Sequence, residues 1–473
     1  MRFVPHRILR ACSLPYRNLS SSVKLSVSSP SRRNSSMTTS NFIVSPSATL
    51  HGHVRAPGDK SISHRAIMLG ALADGVTRIG GFLEGEDCLA TLQAFRAMGV
   101  AIEGPQDGSV IIQGVGLHGL QAPHEPLYMG NSGTSMRLLA GLLAGQTFAS
   151  VLTGDASLNR RPMRRVTEPL SRMGAHIVTT PAGAAPLQIQ GNPALQGIDY
   201  TLPVASAQVK SCLLLAGLYA QGRTCVTEPA STRDHTERML ISFGYSLEQR
   251  ERRVCLHGGG RLQAYALEIP ADISSAAFFM VGASIAPKAD IVLENVGVNP
   301  TRTGVITILR QMGADITLLN QRQAGGEPVA DIRVRSAPLH GIRIPAELVP
   351  LAIDEFPALF IAAACAGGET VLTGAEELRV KESDRIQVMA DGLQTLGIAA
   401  RPTPDGMLIS GGAPTGGVIA SQGDHRIAMA FAMAALRAQG IIRIQDCANV
   451  NTSFPGFVEL ARGAGLTIDA VST

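Results

Sequence analysis

Six stretches of small apolar residues recur along the chain, and each begins at a cluster of polar residues. Two of them, residues 138–145 and 427–436, are apolar on nearly every face of a helix, which is typical of buried helices. All six are too short to span a bilayer, which requires about 20 apolar residues. The polar clusters occupy residues 60–65, 131–137, 206–211, 272–275, 354–356 and 424–426.

A second pattern alternates with the first: a helix-like stretch ends in glycine, and a short β-like run follows. The successive glycines are 75, 70, 69, 84 and 68 residues apart, which indicates a structural repeat. Glycine readily adopts the left-handed conformation that ends a helix before a strand. The glycines are Gly99, Gly174, Gly244, Gly313, Gly397 and Gly465.

These two patterns predict an α/β protein of six units, each with a buried helix, an outer helix and strands. Six units divide into two similar domains of three. If the buried helices all start from their polar clusters, six positive dipole ends point at one region, which would hold anions. The simpler interpretation is that each cluster is an ordinary N-cap.

Charge is distributed unevenly along the 473 residues. Residues 1–40 hold seven arginines and lysines and no acid, so the net charge of +4 becomes −3 for the remainder. A mildly acidic folded part argues against nucleic-acid binding.

The basic, serine-rich leader is typical of an organelle transit peptide. The alternative is an over-called start, with Met37 as the first residue. We expect a cytoplasmic protein without membrane contact, or a plastid one if the leader is cleaved.

The cysteines are scattered and odd in number, and no two are spaced as a CxxC pair. This usage predicts a reducing compartment and no structural zinc. A catalytic thiol remains open at this point. The seven are Cys12, Cys88, Cys212, Cys225, Cys255, Cys365 and Cys447.

The polar clusters contain residues suited to binding phosphates. Lys60, Ser61 and Arg65 follow a glycine turn and combine main-chain donors, a point charge and a planar guanidinium. The spacing required for a Walker A loop is absent. Further along the chain lie Arg161, Arg233, the Asp354-Glu355 pair, the run at residues 379–385 and the Asp-His-Arg triplet at residues 424–426.

Six of these motifs resemble, in order, those of the 5-enolpyruvylshikimate-3-phosphate synthase family. They are KSISHR at 60–65, NSGTSMR at 131–137, the Arg-Pro pair at 161–162, SAQ at 206–208, LRVKESDR at 378–385 and DHR at 424–426. The resemblance extends from about residue 42 to the C-terminus. It implies two domains, each of three βαβαββ repeats around buried helices, the inside-out α/β barrel of the enolpyruvyl transferases. One domain would comprise residues 60–268 and the other residues 42–59 and 269–473, with crossovers near 59 and 269.

The resemblance also implies an activity: transfer of the enolpyruvyl group of phosphoenolpyruvate to the 5-hydroxyl of shikimate 3-phosphate, with release of phosphate. The implied catalytic residues are Asp354, Glu382 and Lys60. Those implied for shikimate 3-phosphate are Lys60, Ser61, Arg65, Ser206, Ala207, Gln208, Arg233, Asp354 and Lys381. Those implied for phosphoenolpyruvate are Lys60, Gly133, Arg161, Gln208, Arg385 and Arg426. We expect no cofactor, no metal and a monomer whose partners are these small molecules.

Several positions depart from some members of the family. Ala207 stands where a second serine is common, Glu377 where some have asparagine, and Thr452 where some have a lysine. No substrate contact is therefore assigned to Glu377 or Thr452. Gly133 leaves room for the inhibitor glyphosate, where tolerant relatives carry alanine. The fourth unit, with residues 272–275, offers no catalytic residue.

Two alternatives remain. The sister enzyme that acts on UDP-N-acetylglucosamine shares the fold and the donor, but it uses a loop cysteine, and residues 153–165 contain none. A non-catalytic binding protein on the same scaffold is disfavoured because Asp354, Lys381 and Glu382 are present together.

Other signals have simpler interpretations. The GxGxxG match at residues 114–119 predicts a turn rather than a nucleotide site, since no clear helix follows. Arg164, Arg165 and the run at residues 250–253 are expected at the solvated surface. His64, His235 and His425 are expected to be hydrogen-bond partners, and Met98, Met173 and Met312 to fill the core.

Overall fold

The computed structural model describes residues 40–472, so the predicted leader lies outside the described residues except for Ser40. Within them, twelve α-helices alternate with twenty-three strands. The strands are β1 (Ser40–Ser45), β2 (Thr49–Val54), β3 (Asp74–Gly80), β4 (Ala101–Gln106), β5 (Ser109–Val115), β6 (Leu127–Tyr128), β7 (Ala149–Thr153), β8 (His176–Val178), β9 (Leu187–Gln190), β10 (Asp199–Thr201), β11 (Arg223–Thr227), β12 (Glu248–Arg250), β13 (Arg253–His257), β14 (Ala266–Glu268), β15 (Lys288–Gly297), β16 (Asp315–Ala324), β17 (Glu327–Arg335), β18 (Glu369–Leu372), β19 (Ala399–Thr403), β20 (Gly406–Ser410), β21 (Gly417–Ala420), β22 (Ile442–Gln445) and β23 (Thr467–Ser472).

The helices alternate between buried and outer positions. The buried helices are α1 (Lys60–Leu72), α3 (Gly133–Ala144), α5 (Ala207–Gly217), α7 (Ile273–Ile285), α9 (Phe356–Ala364) and α11 (His425–Ala434). The outer helices are α2 (Glu86–Ala97), α4 (Arg164–Arg172), α6 (His235–Ser242), α8 (Gly304–Gln311), α10 (Arg385–Thr395) and α12 (Phe457–Gly463). In α7 and α9 every residue is buried. The six predicted buried helices are confirmed.

Polar side chains cap the buried helices. Asp59 Oδ1 accepts a hydrogen bond from the backbone N–H of Ile62 at 2.9 Å and so satisfies one of the free donors of the first turn. Helix α9 has no side-chain cap, but Pro357 lies in its first turn, where the missing N–H costs nothing. The other caps are Ser132, Ser206, Asp272 and Asp424. The simpler interpretation of the polar clusters is therefore correct for five of the six helices.

The outer helices end at the six repeat glycines. Their φ angles are all in the left-handed region, from 76° at Gly397 to 113° at Gly465. A side chain is disfavoured at such angles, which is why glycine recurs there. The predicted helix ends are confirmed.

Five of the six sheets share one plan, in which an edge strand runs parallel to its neighbour and the other pairs are antiparallel. The exception has three strands, and a parallel bridge between Arg343 and Val371 stands in place of the edge strand. The strand orders are β14-β3-β5-β4, β6-β7-β9-β8, β10-β11-β13-β12, β16-β17-β15-β2, β18-β20-β19 and β21-β22-β1-β23.

Two edge strands are exchanged between the halves of the chain. Strand β2, which precedes α1, pairs with β15, whereas β14, which precedes α7, pairs with β3. The chain therefore crosses between the halves twice. The two crossing segments lie side by side: the N–H of Asp59 donates to Pro270 O, and the N–H of Asp272 donates to Pro57 O, both at 2.8 Å.

The buried apolar residues form two separate cores. One is built from residues 62–269, and the other from residues 42–56 together with 271–468. Each core surrounds three buried helices, which confirms the predicted α/β fold class of two similar three-repeat halves. The exact domain boundaries stay a prediction. Met98, Met173 and Met312 are all buried in these cores, as predicted.

Two local expectations had different outcomes. The GxGxxG match lies at the end of β5 and in the turn after it, where Gly119 N–H bonds to Gly116 O, and no helix follows directly. The cysteine usage did not predict a disulfide, yet Cys225 and Cys255 form one. They lie directly opposite each other in β11 and β13, so the strand register brings them together.

No helix of residues 40–472 is long and apolar enough to cross a membrane.

The close packing of α3 on α5 gives a stability prediction. A Cβ at Gly141 would lie 2.1 Å from the carbonyl oxygen of Cys212. We expect Gly141→Ala to lower the free energy of unfolding by about 1–3 kcal/mol, the usual cost of overpacking a core. Gly463→Ala is the control, because nothing lies within 4 Å of a Cβ there. Urea unfolding measures both, and equal stabilities would contradict the close approach.

Candidate active site

The first turns of all six buried helices, or the residues directly before them, meet at one cleft between the two cores. Its walls carry eight lysines and arginines against five carboxylates, so the cleft has an excess of positive charge before any helix dipole is counted. The predicted site residues in this cleft are Lys60, Ser61, Gly133, Arg161, Gln208, Arg233, Asp354, Lys381, Glu382, Arg385 and Arg426. The expected convergence of six helix N-termini is confirmed.

Lys60 is the first residue of α1, and two carboxylates hold it. Its Nζ forms an ion pair with Asp87, which is buried in the first turn of α2. Its backbone N–H lies 3.4 Å from Asp272 Oδ2, at the start of α7. Burial raises the pKa of Asp87, although Lys60 opposes this shift. The ammonium is therefore fixed at the junction of the two halves.

Glu382 lies between two arginines that come from opposite sides of the cleft. Arg161 Nη1 is 3.4 Å from its Oε1, and Arg385 Nη2 is 2.6 Å from its Oε2. Arg161 in turn donates to Asn131 Oδ1 at 2.5 Å. Burial alone would raise the pKa of Glu382, but Arg385 and Arg161 hold it well below the ordinary value. Glu382 is ionised at neutral pH.

Asp354 has a similar arrangement, directly before α9. Its carboxylate contacts Arg233 Nη2 at 2.5 Å, Lys381 Nζ at 3.3 Å and Arg385 Nη1 at 3.5 Å. Its backbone oxygen accepts a hydrogen bond from Arg426 at 3.0 Å. Burial would raise the pKa of Asp354, but Lys381, Arg233, Arg426 and Arg385 hold it well below the ordinary value.

Arg385 is fixed from behind by a carboxylate that has no exposed surface. Its Nε donates to Asp424 Oδ2 at 2.8 Å, while Asp424 Oδ1 accepts the backbone N–H of Arg426 at 3.0 Å. One residue therefore both caps α11 and orients an arginine. The remaining guanidinium nitrogens of Arg385 face Glu382 and Asp354.

A second cavity, of about 250 Å³, adjoins the first and shares five polar or charged residues with it. Ser206 and Ala207, at the start of α5, line it together with the apolar Val349, Pro350 and Ile353. Gln208 accepts a hydrogen bond from Arg137 and donates to Thr134 Oγ1 at 3.0 Å. The shared residues are Gln208, Arg233, Asp354 and Lys381, with Glu377 also common to both.

Arg65 is the one predicted site residue that lines neither cavity. It is buried behind Ser61, where its guanidinium donates to Ser61 O, Thr236 Oγ1 and Ser211 Oγ at 2.7–2.9 Å. Burial lowers its pKa to about 10. Arg65 thus supports the start of α1, and no carboxylate of residues 40–472 forms an ion pair with it.

The expectation that Arg165 is solvated surface is wrong. Arg165 Nη1 lies 2.8 Å from Glu377 Oε1, and this ion pair joins α4 to the opposite side of the cleft. The two residues are 212 positions apart in the chain, so no local sequence pattern indicates this contact. Arg164 donates a hydrogen bond to Pro181 O and is exposed, and the charged run at residues 250–253 is largely exposed, as predicted. Thr452 lies outside both cavities and donates to Asn449 O.

Two of the three histidines are hydrogen-bond partners, as predicted. His64 Nδ1 lies 2.8 Å from Thr91 Oγ1, and His235 Nδ1 lies 2.7 Å from Glu327 Oε1. His425 differs, because its buried Nε2 has no hydrogen-bond partner among residues 40–472. Burial, with the nearby Lys60, lowers the pKa of His425 to about 3, so the imidazole is neutral.

The cleft also contains residues to which the sequence analysis assigned no role in substrate binding or catalysis. Asp87 lies in the first turn of α2 and Arg302 in the loop before α8, and neither belongs to a motif singled out in the sequence. Only their side-chain directions place them in the site. These residues are Asp87, Asn131, Ser132, Thr134, Arg137, Asp272, Ser274, Arg302, Glu377, Val380 and His425.

Comparison with known proteins gives a consistent family. A family model described as EPSP synthase (3-phosphoshikimate 1-carboxyvinyltransferase) matches residues 44–460. A 3-phosphoshikimate 1-carboxyvinyltransferase of Methylococcus capsulatus is 69% identical over 428 residues, which are 90% of this chain and 98% of the relative. That of Alkalilimnicola ehrlichii is 70% identical over 428 residues, 90% and 96% of the two chains.

A solved structure extends the likeness to three dimensions. The EPSP synthase structure from Acinetobacter baumannii superposes with a TM-score of 0.83 at 60% sequence identity. The match covers 92% of this chain and all of the other.

The lowered pKa of Asp354 predicts how stability depends on pH. A carboxyl whose pKa is lower in the folded state stabilises the fold above its unfolded pKa of about 3.9 and loses this effect as the pH falls through the folded value. We therefore expect wild type to unfold at a higher temperature than Asp354→Asn from pH 8 to pH 5, and the gap to shrink below pH 4. Asp469→Asn, at an exposed ion pair, is the control. A gap that persists unchanged at pH 2 would contradict the assignment.

Proposed function

The chain belongs to the EPSP synthase family of 3-phosphoshikimate 1-carboxyvinyltransferases, and from this premise we propose which of its residues perform the transfer. The reaction moves the carboxyvinyl group of phosphoenolpyruvate to the 5-hydroxyl of shikimate 3-phosphate and releases phosphate. Both substrates carry a phosphate and a carboxylate. The observation that carries the proposal is a cationic cleft in which Asp354 and Glu382 each lie between cations that hold the pKa of the carboxyl well below its ordinary value.

Phosphoenolpyruvate binds on the side of the cleft where both halves supply cations. Lys60 and Arg161 come from one half, and Arg385 and Arg426 from the other. Gly133 leaves the first turn of α3 open, and Gln208 closes the site toward the second substrate. Preorganised arginines and helix N-termini stabilise charge that develops in the transition state without reorganising.

Shikimate 3-phosphate occupies the adjoining cavity. Ser206, Ala207 and Gln208 at the start of α5, with Arg233, surround its phosphate, supported by Ser61 and the buried charge of Arg65. Asp354 and Lys381 bind its hydroxyls from the opposite wall. Lys60 lies between the two substrates and contacts both.

Substrate binding frees the two catalytic carboxylates from their arginines. In this structure Arg233 is paired with Asp354, and Arg161 and Arg385 are paired with Glu382. The phosphate of shikimate 3-phosphate takes over Arg233, and the anionic groups of phosphoenolpyruvate take over the other two. Each carboxylate then loses part of the positive field that lowers its pKa, so its proton affinity rises when a proton has to be transferred.

The transfer proceeds by addition and elimination. The 5-oxygen bonds to C2 of phosphoenolpyruvate, and its proton passes to Asp354. C3 gains a proton from Lys60, or from Glu382 after the rise in its proton affinity has let that carboxylate take up a proton, which gives a tetrahedral intermediate. In the second half, the new methyl group gives a proton back and the C2–O bond to phosphate breaks. The double bond re-forms on the product and inorganic phosphate leaves. Each positioned proton transfer is worth about 10²–10⁴-fold in rate.

We propose that residues 60–268 form one domain and residues 42–59 with 269–473 the other. The exchange of β2 and β14 and the two separate cores support these boundaries. A monomer in the cytoplasm is the accompanying proposal.

The two catalytic carboxylates give the first functional prediction. We expect Asp354→Ala and Glu382→Ala each to lower kcat by about 10²–10⁴-fold, because each removes one positioned proton transfer. Phosphate release from phosphoenolpyruvate, with shikimate 3-phosphate as acceptor, measures the effect.

The control for these variants is Asp469→Ala, which removes an exposed carboxylate and should keep wild-type turnover. Wild type supplied with UDP-N-acetylglucosamine should release no phosphate. Full turnover in either catalytic variant would remove that residue from the site, and release with the nucleotide sugar would favour the sister activity.

Gly133 gives the second prediction. A Cβ there would lie 3.2 Å from Arg161 Nη1 and 3.3 Å from Arg137 Nη1, so alanine crowds the phosphoenolpyruvate site. We expect Gly133→Ala to raise the inhibition constant for glyphosate roughly 10–200-fold, the range for one added methylene in a tight pocket, with a smaller rise in KM for phosphoenolpyruvate. Gly463→Ala serves as the unaffected control. Identical inhibition of wild type and Gly133→Ala would refute this role.

A further inference from the structure

Arg302 lines the cleft, but it is almost completely buried among three carboxylates from separate segments. We call Arg302, Asp59, Asp272, Ser274 and Glu355 the Arg302 cluster. Nη1 of Arg302 donates to Asp59 Oδ2 at 3.0 Å, and Nη2 donates to Asp272 Oδ1 at 3.1 Å and Ser274 Oγ at 2.7 Å. Glu355 Oε1 lies 3.7 Å from Nη2. The arginine is 2% exposed, so water does not screen these contacts.

The cluster lies where the chain crosses between the two halves. Asp59 ends the first crossing segment and Asp272 ends the second, and each caps the buried helix that follows. Arg302 comes from the loop before α8, in the second half. Its planar guanidinium is wide enough to bond both caps at once, which the single charge of a lysine cannot do in the same geometry.

Each carboxylate of the cluster is adjacent to a group proposed for the chemistry. Asp59 directly precedes Lys60, and Asp272 Oδ2 faces the backbone N–H of Lys60 at 3.4 Å. Glu355 directly follows Asp354 and accepts a hydrogen bond from Ser274 Oγ. A shift of Arg302 would therefore move Lys60 through Asp59 and Asp272. It would also move Asp354 through Ser274 and Glu355.

A second arm of contacts reaches the proposed phosphate site. His235 Nε2 lies 3.3 Å from Arg302 Nη1, and His235 directly follows Asp234 and Arg233 in the chain. Asn299 donates to Asp234 Oδ1 at 2.7 Å and to Glu327 Oε2 at 2.8 Å. The loop that holds Arg302 thus also fixes the segment that presents Arg233.

Without Arg302, the three carboxylates would be buried together with no guanidinium between them. Removing one partner of a buried charge group leaves an uncompensated charge, which is strongly unfavourable. The carboxylates would move apart or take up water. Either change displaces the starts of α1 and α9, and a misplacement near 1 Å of a reacting group can cost about 10²-fold in rate.

We propose that Arg302 is a positioning residue of the transferase, which sets the distance between Lys60 and Asp354 by joining the two crossing segments to the start of α9. The inference rests on the roles proposed above for Lys60 and Asp354. The fourth unit, which offered no catalytic residue, thus contributes to the reaction through its helix cap, Asp272, and the arginine that binds it.

The test compares Arg302→Met and Arg302→Lys with Arg310→Met. Arg310 lies in α8, eight residues after Arg302 in the chain. Among residues 40–472 its hydrogen bonds go to the backbone oxygen of Ile316, so it is a structural control. For each variant, kcat and both KM values are measured by phosphate release and normalised to the folded fraction from circular dichroism.

We expect Arg302→Met to lower kcat roughly 100-fold while both KM values stay within about threefold, because the residues that bind the phosphates remain. Arg302→Lys should lower kcat roughly tenfold, because lysine keeps the positive charge but lacks the planar guanidinium that bonds both helix caps. Arg310→Met should lower the unfolding temperature and leave kcat unchanged. If Arg302→Met does not fold, Arg302→Lys decides alone.

A kcat within twofold of wild type in the folded Arg302 variants would overturn the proposal, as would a loss matched by Arg310→Met. Lys60→Ala and Asp354→Ala are measured in parallel. If these two keep full turnover, the proposed site roles fail; if they lose it while the Arg302 variants keep theirs, only the positioning role fails.

Discussion

The N-termini of six buried helices meet at one cleft, and this concentration of positive charge is the constraint on which the site depends. Each helix start leaves backbone N–H groups without helical partners and carries the positive end of a dipole. Lysines and arginines add eight charges to the same walls. Such a cleft is stable only if anions occupy it, and in this structure the protein supplies them from its own carboxylates.

The compensating carboxylates are those that the chemistry needs. Asp354 and Glu382 each lie between cations from both sides of the cleft, so they hold the two halves together until substrate anions replace them. The same ion pairs explain why these groups are ionised despite their burial. Binding of a phosphate and activation of a proton acceptor are thereby coupled through shared arginines.

The sixfold repeat is architectural, and the chemistry departs from it. Every unit supplies a buried helix that starts at the cleft, yet the caps have different functions. Ser206 caps α5 beside the second cavity, whereas Asp424 caps α11 and also orients Arg385. Asp59 and Asp272 cap helices in opposite halves and share Arg302. A buried guanidinium between two caps is costly to desolvate, and its geometry is correspondingly specific.

The sequence alone determined the features that follow from local pattern. Apolar stretches without a polar face predicted the six buried helices, and the spaced glycines predicted the left-handed helix ends, because both depend on a few neighbouring residues. The motifs also identified most of the residues that line the cleft. Tertiary structure decided the rest. The partnership of Arg165 with Glu377, the disulfide between Cys225 and Cys255 and the convergence of three carboxylates on Arg302 join residues far apart in the chain. Such contacts depend on which strands are exchanged and how the sheets are registered, and no local periodicity encodes those choices.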